Sequence, residues 1–154
     1  MKYLYSILFL FVLCSLNAYA CSPSYQSSFH IEAVDNVEWS EHLYPPEIKK
    51  ITVTRGKKPC YFGTIIIEVS LPNNSHYQIS DIGFYFVQDT TNLLTSIFPD
   101  SPLFAQTSAT GKHFIEFQWH DQKYSQKLNH PFYLVTVLKN SRISGMSKKS
   151  IIID

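Results

Sequence analysis

The amino-acid sequence predicts an all-β fold: an antiparallel two-sheet sandwich over residues 47–154, behind an N-terminal arm at 21–46 and a cleaved signal helix at 1–20. Three observations predict it. The 154 residues include ten Tyr and eleven Phe, many β-branched side chains and only five Gly, a composition suited to half-buried pleated surfaces. Past Pro46, apolar residues recur at alternate positions in several runs, the period of a strand with one buried face. After residue 20 no long run carries the period of an amphipathic helix.

The first element is a leader. Lys2 precedes the apolar run Tyr3–Leu16, "YLYSILFLFVLCSL". As a helix this run rises about 21 Å, short of the roughly 30 Å of a bilayer core. Ala18-Tyr19-Ala20 follows, a small-x-small cleavage signal. Export to the periplasm or outside the cell is therefore expected. Removing residues 1–20 takes away one charge, Lys2, and leaves twelve basic against twelve acidic residues. A neutral domain lacks the basic footprint of nucleic-acid binding, so no nucleic acid is expected as a partner.

Cys21 then has two readings. Ala20-Cys21 resembles the end of the bacterial lipoprotein box, with Tyr19 where the box has a small residue. A lipid on Cys21 would anchor the chain to a membrane, the one route to membrane contact expected here. The competing reading counts cysteines. Cys14 leaves with the leader, and Cys21 and Cys60 remain. An even number in an exported chain favours a bridge. A Cys21–Cys60 bridge would close a loop of about 40 residues and contribute roughly 3–4 kcal/mol. The bridge is the favoured reading.

The arm holds Phe29, Ile31 and Ala33 in alternation, then Val37 and Trp39, enough for a short edge strand. Pro45-Pro46 ends it, because proline cannot sit in a central strand. The strands follow in order. Ile48–Thr54 turns Ile51 and Val53 to one face; after the basic turn "RGKKPCYFG", Thr64–Leu71 turns in Ile65, Ile67, Val69 and Leu71. Ile82–Gln88 turns in Ile82, Phe84 and Phe86. Residues 89–111 are irregular, with room for one or two short crossover strands. Lys112–His120 turns in Ile115, Phe117 and Trp119; Phe132–Lys139 and Ser150–Asp154 complete the set. About seven strands separated by turns are the pattern of a sandwich.

The final stretch, "HPFYLVTVLKNSRISGMSKKSIIID", resembles the end of a fibronectin type III or related immunoglobulin-like domain. Tyr133, Val135 and Val137 match that family's Tyr-x-Val-x-Val strand; Asn140, Ser144, Gly145 and Ser147 match its polar turn. Pro45-Pro46 ahead of Ile51 and Val53 resembles its first strand. No tryptophan stands in Thr64–Leu71, where the family usually has one. The resemblance implies an architecture and no ligand, since such folds host many functions.

Chemistry-bearing residues are sparse. Among six histidines there is no HxH or HExxH spacing, and no CxxC pair occurs, the usual announcements of zinc. His113, His120, Asp121 and His130 are the nearest approach to a loop site, able to serve as general base or metal ligands if one end of the sandwich gathers them. Ser144–Ser147, "SGMS", lacks the GxSxG elbow of a serine nucleophile. Cys60, beside Lys57 and Lys58, could be an activated thiol, but export favours its oxidation. Arg55–Lys58 and Ser147–Lys149 are read as solvated basic turns. Asn73-Asn74-Ser75 matches an N-glycosylation sequon and is taken as accidental.

The most informative pattern is a second apolar face. With Tyr133, Val135 and Val137 assigned inward, Tyr85, Val87, Leu134 and Leu138 face out and share one sheet. Four large side chains there approach the patch size monomers tolerate. Either the arm covers them, through Phe29, Ile31, Val37 or Trp39, or a partner protein does. The expected function is thus a non-catalytic binding or structural role in the cell envelope, without a cofactor. The alternatives are a small metal-dependent or hydrolytic enzyme built on the His/Asp loop, and a lipid-anchored lipoprotein.

Overall fold

A computed structural model describes residues 21, 28–32, 38–88, 97–121 and 127–153. Residues 1–20, read above as a leader, lie outside them, as do Ala33, Val37 and the Leu93-Leu94 pair. Among the described residues there are ten strands: β1 (Glu38–Trp39), β2 (Glu47–Thr54), β3 (Phe62–Ser70), β4 (Gly83–Gln88), β5 (Leu103–Phe104), β6 (Gln106–Thr107), β7 (His113–His120), β8 (Asn129–Val137), β9 (Arg142–Ile143) and β10 (Ser150–Ile153). One 3-10 turn, Ile79–Asp81, leads into β4, and there is no α-helix among the described residues.

The strands form two sheets. One runs β2-β3-β7-β6; the other runs β1-β9-β8-β4-β5, with β10 also on β8. Pairing is antiparallel except where the arm joins, β1 lying parallel to β9. One core lies between the sheets. Ile65, Ile67, Ile115, Phe117 and Trp119 from the first sheet meet Phe84, Phe86, Phe132, Leu134 and Ile152 from the second. Phe86 and Phe98 stack at 5.1 Å, and Phe86 meets Phe117 edge-on at the same distance. Such aromatic pairs contribute about 0.5–1.5 kcal/mol beyond the area they bury. Gly63 lies directly opposite Trp119, and a methyl group there would come within 2.3–2.7 Å of the indole. The glycine lets the ring lie flat on the strand.

The inward sets of β3, β4 and β7 follow the sequence pattern. β8 does not, and its assignment is corrected. Phe86 pairs with Leu134 and Phe84 with Thr136. Directly opposed residues share a face, so Leu134 and Thr136 point inward with Phe84 and Phe86. Leu134 and Leu138 belong to the core, with Leu134 fully buried. Tyr133, Val135 and Val137 take the outer face instead. In "FYLVTVLK" both phases of the alternation are apolar, so periodicity alone cannot choose between them. Thr136 tolerates full burial because its Oγ1 donates to the Tyr44 carbonyl at 3.1 Å.

The last strand is interrupted. From Ile143 to Ser150 the chain advances seven residues while β8 advances five, from Val137 to Phe132. Two extra residues are taken up as bulges. Buried Ser144 and Ser147 keep the ladder satisfied. The Ser144 N–H donates to the Thr136 carbonyl at 2.9 Å, and Ser144 Oγ accepts from the Thr136 N–H at 3.0 Å. Ser147 does the same with Leu134, at 2.9 and 2.8 Å. A hydroxyl thus replaces a backbone carbonyl at each bulge.

Candidate functional site

The outer face of the second sheet has two ends. Odd-numbered residues of β4 and β8 line it, with Gly83 opposite Val137, Tyr85 opposite Val135 and Val87 opposite Tyr133. At the Gly83 end the arm crosses the face. Ser28 bridges to Leu103, and the Phe29 N–H donates to the Pro102 carbonyl at 2.7 Å. The Glu32 N–H then reaches the Lys139 carbonyl at 2.7 Å, beyond the end of β8. Between these ties Phe29 lies over Gly83, where an added methyl would come within 2.5 Å of its ring. It meets Phe104 edge-on at 4.8 Å and keeps only 2% of its surface exposed. Of the four arm residues considered as cover, Phe29 takes the role; Trp39 is exposed.

At the other end the face stays open. Tyr85 is 39% exposed, Ile151 43% and Ile153 63%. Half-buried Val87 and Tyr133 lie between them, and Ile151 stands opposite Pro131. Lys149 Nζ sits 5.9 Å from the centre of the Tyr133 ring, within range of a cation–π contact. The open strip is therefore Tyr85, Val87, Tyr133, Ile151 and Ile153. The sequence placed the first two on it. Its other two candidates, Leu134 and Leu138, are in the core, and Tyr133 and the isoleucines replace them. The alternation of "SIIID" could have found Ile151 and Ile153, since one face of that strand must be left when Ile152 is buried.

The His/Asp candidates are not brought together. His113 and His120 stand at opposite ends of β7, about 23 Å apart along an eight-residue strand. His113 Nδ1 is 3.0 Å from Thr107 Oγ1, and exposed His120 lies against the Phe62 ring at 5.4 Å. His130 is on the other sheet, opposite Ile152, and its burial pushes the imidazole below its ordinary value. Among the described residues no three His, Cys, Asp or Glu side chains gather.

Asp121 has a different task. It is buried and accepts from Arg55 Nε at 2.7 Å, Arg55 Nη2 at 2.8 Å and the Gly56 N–H at 2.9 Å. Its own N–H donates to the Tyr61 carbonyl at 2.7 Å. A bidentate guanidinium and a backbone N–H satisfy a buried carboxylate in the way burial demands. The residue clamps the β2–β3 turn to the end of β7. In the same turn Cys60 is bonded to Cys21, with Cα atoms 5.3 Å apart. So bonded, Cys60 is no free nucleophile.

Comparison of the chain with protein-family models, curated proteins and solved structures finds no match.

Proposed function

We propose that the chain is an exported, non-catalytic binding module of the immunoglobulin and fibronectin type III class, working in the periplasm or outside the cell. The observation that carries this reading is the open strip Tyr85–Tyr133–Ile153. Exposed aromatic and aliphatic side chains share one rigid sheet face, beside a stretch where the protein covers the same face itself. Apolar patches rimmed by polar groups serve as docking sites. The strand order supports the class. An immunoglobulin constant domain places its strands A-B-E-D in one sheet and C-F-G in the other. Lettering β2, β3, β4, β6, β7, β8 and β10 as A to G reproduces both orders. Export is supported by the leader-like residues 1–20 and by the Cys21–Cys60 bridge.

A photoreactive amino acid placed at Tyr85 or Ile153 in producing cells tests the binding role. Discrete crosslinked products are expected from both positions and not from exposed Thr52 on the other sheet. Identical yields at all three positions refute it. Intact mass tests export and bridge together. Cleavage after Ala20 with loss of two hydrogens is expected; an acyl increment on Cys21 would replace this reading by a lipid-anchored one.

A further inference from the structure

Two histidines that the sequence keeps far apart meet on the surface. His42, in the arm just before Pro45-Pro46, and His76, in the connection from β3 to β4, lie with ring centres 6.0 Å apart and planes 86° apart. Both are exposed. We propose that His42 and His76 form a binding site for a divalent transition-metal ion of the imidazole-seeking class, Cu2+, Ni2+ or Zn2+, whose binding fastens the arm to the core. This goes beyond the docking role of the sheet face and uses none of its residues.

Two features carry it. The backbones are set in place independently of any ion. Leu43, next to His42, is buried in the core, and its N–H donates to the Ser40 carbonyl at 3.2 Å. The Ser75 N–H donates to the Pro72 carbonyl at 2.9 Å, and Tyr77 packs on the core, so His76 is held from both sides. The spacing also fits. An imidazole nitrogen sits about 2.0–2.1 Å from the ion, which puts two ring centres about 5 Å apart at a tetrahedral centre and about 6.4 Å apart across a square-planar one. The observed 6.0 Å lies between these limits, and the exposed rings can adjust without displacing core atoms. No third His, Cys, Asp or Glu joins them among the described residues. Water completes the shell, so the site is open and exchangeable, unlike a closed structural zinc site.

The test is calorimetric titration of CuCl2, NiCl2 and ZnCl2 into the protein purified without a histidine tag. One ion per chain is expected, with Cu2+ the tightest. His42→Ala and His76→Ala should each weaken binding at least tenfold, and the double variant should be weaker than either single one, because each single variant keeps one imidazole. His42→Gln and His76→Gln keep a polar side chain of similar reach and should lose binding equally. In wild type alone, saturating Cu2+ should raise Tm by a few degrees. Unchanged affinity in either single variant, or an equal loss in His120→Ala, overturns the proposal.

Discussion

The two ends of one sheet face meet opposite fates. At Gly83 the strand carries no side chain, and Phe29 fills the space from outside. Two residues along, the same strand presents Tyr85 to solvent, and β10 adds Ile151 and Ile153. Both ends are apolar, yet among the described residues the arm covers only one. The difference teaches that the arm is placed by backbone ties at Ser28, Phe29 and Glu32 and does not spread to wherever apolar surface is available. An internal cover stabilises; an open strip leaves association energy unspent.

The largest way to break the contrast is Phe29→Ala. Removing a fully buried aromatic ring should cost about 3–4 kcal/mol, read as a lower urea midpoint with little change in slope. Gly83→Ala comes next. Its methyl would push the ring off the strand, at about 2 kcal/mol, and combining it with Phe29→Ala should cost less than the sum of the two. Tyr85→Ser and Ile153→Ser should each change stability by less than about 0.5 kcal/mol, while lowering crosslinking to any partner. A loss of stability there as large as that of Phe29→Ala would show that the open strip is structural after all.

The smallest effect lies beneath the open end. His130 faces inward opposite Ile152, and burial lowers its imidazole from the ordinary value of 6.5. The folded state then binds fewer protons than the unfolded state between the two values, so stability rises with pH there. Acidification through 6.5 and below should destabilise the protein, and above 6.5 the effect should vanish. His130→Gln should flatten that part of the stability profile in chemical denaturation at stepped pH.

Most of the two-sheet fold was legible where polar residues interleave with apolar ones. Glu68 and Ser70 mark the outside of β3, and Glu116 and Gln118 that of β7. The phase of β8 was not, because a strand buried on both faces carries apolar residues in both registers. The Cys21–Cys60 bridge could be counted from the sequence. The Arg55–Asp121 clamp could not, since nothing local to Asp121 signals a partner 66 residues away. The His42–His76 contact escaped for the same reason. Only a folded arm brings the two rings together.

The paired serines of the last strand have a consequence of their own. A strand bent by two bulges is no longer a straight template for a foreign strand. The two serines hold those bends by bonding back to β8, so the C-terminal margin departs from a straight edge. Ile151 and Ile153 thus stand exposed on a bent margin, where a foreign strand would find no straight run to pair with.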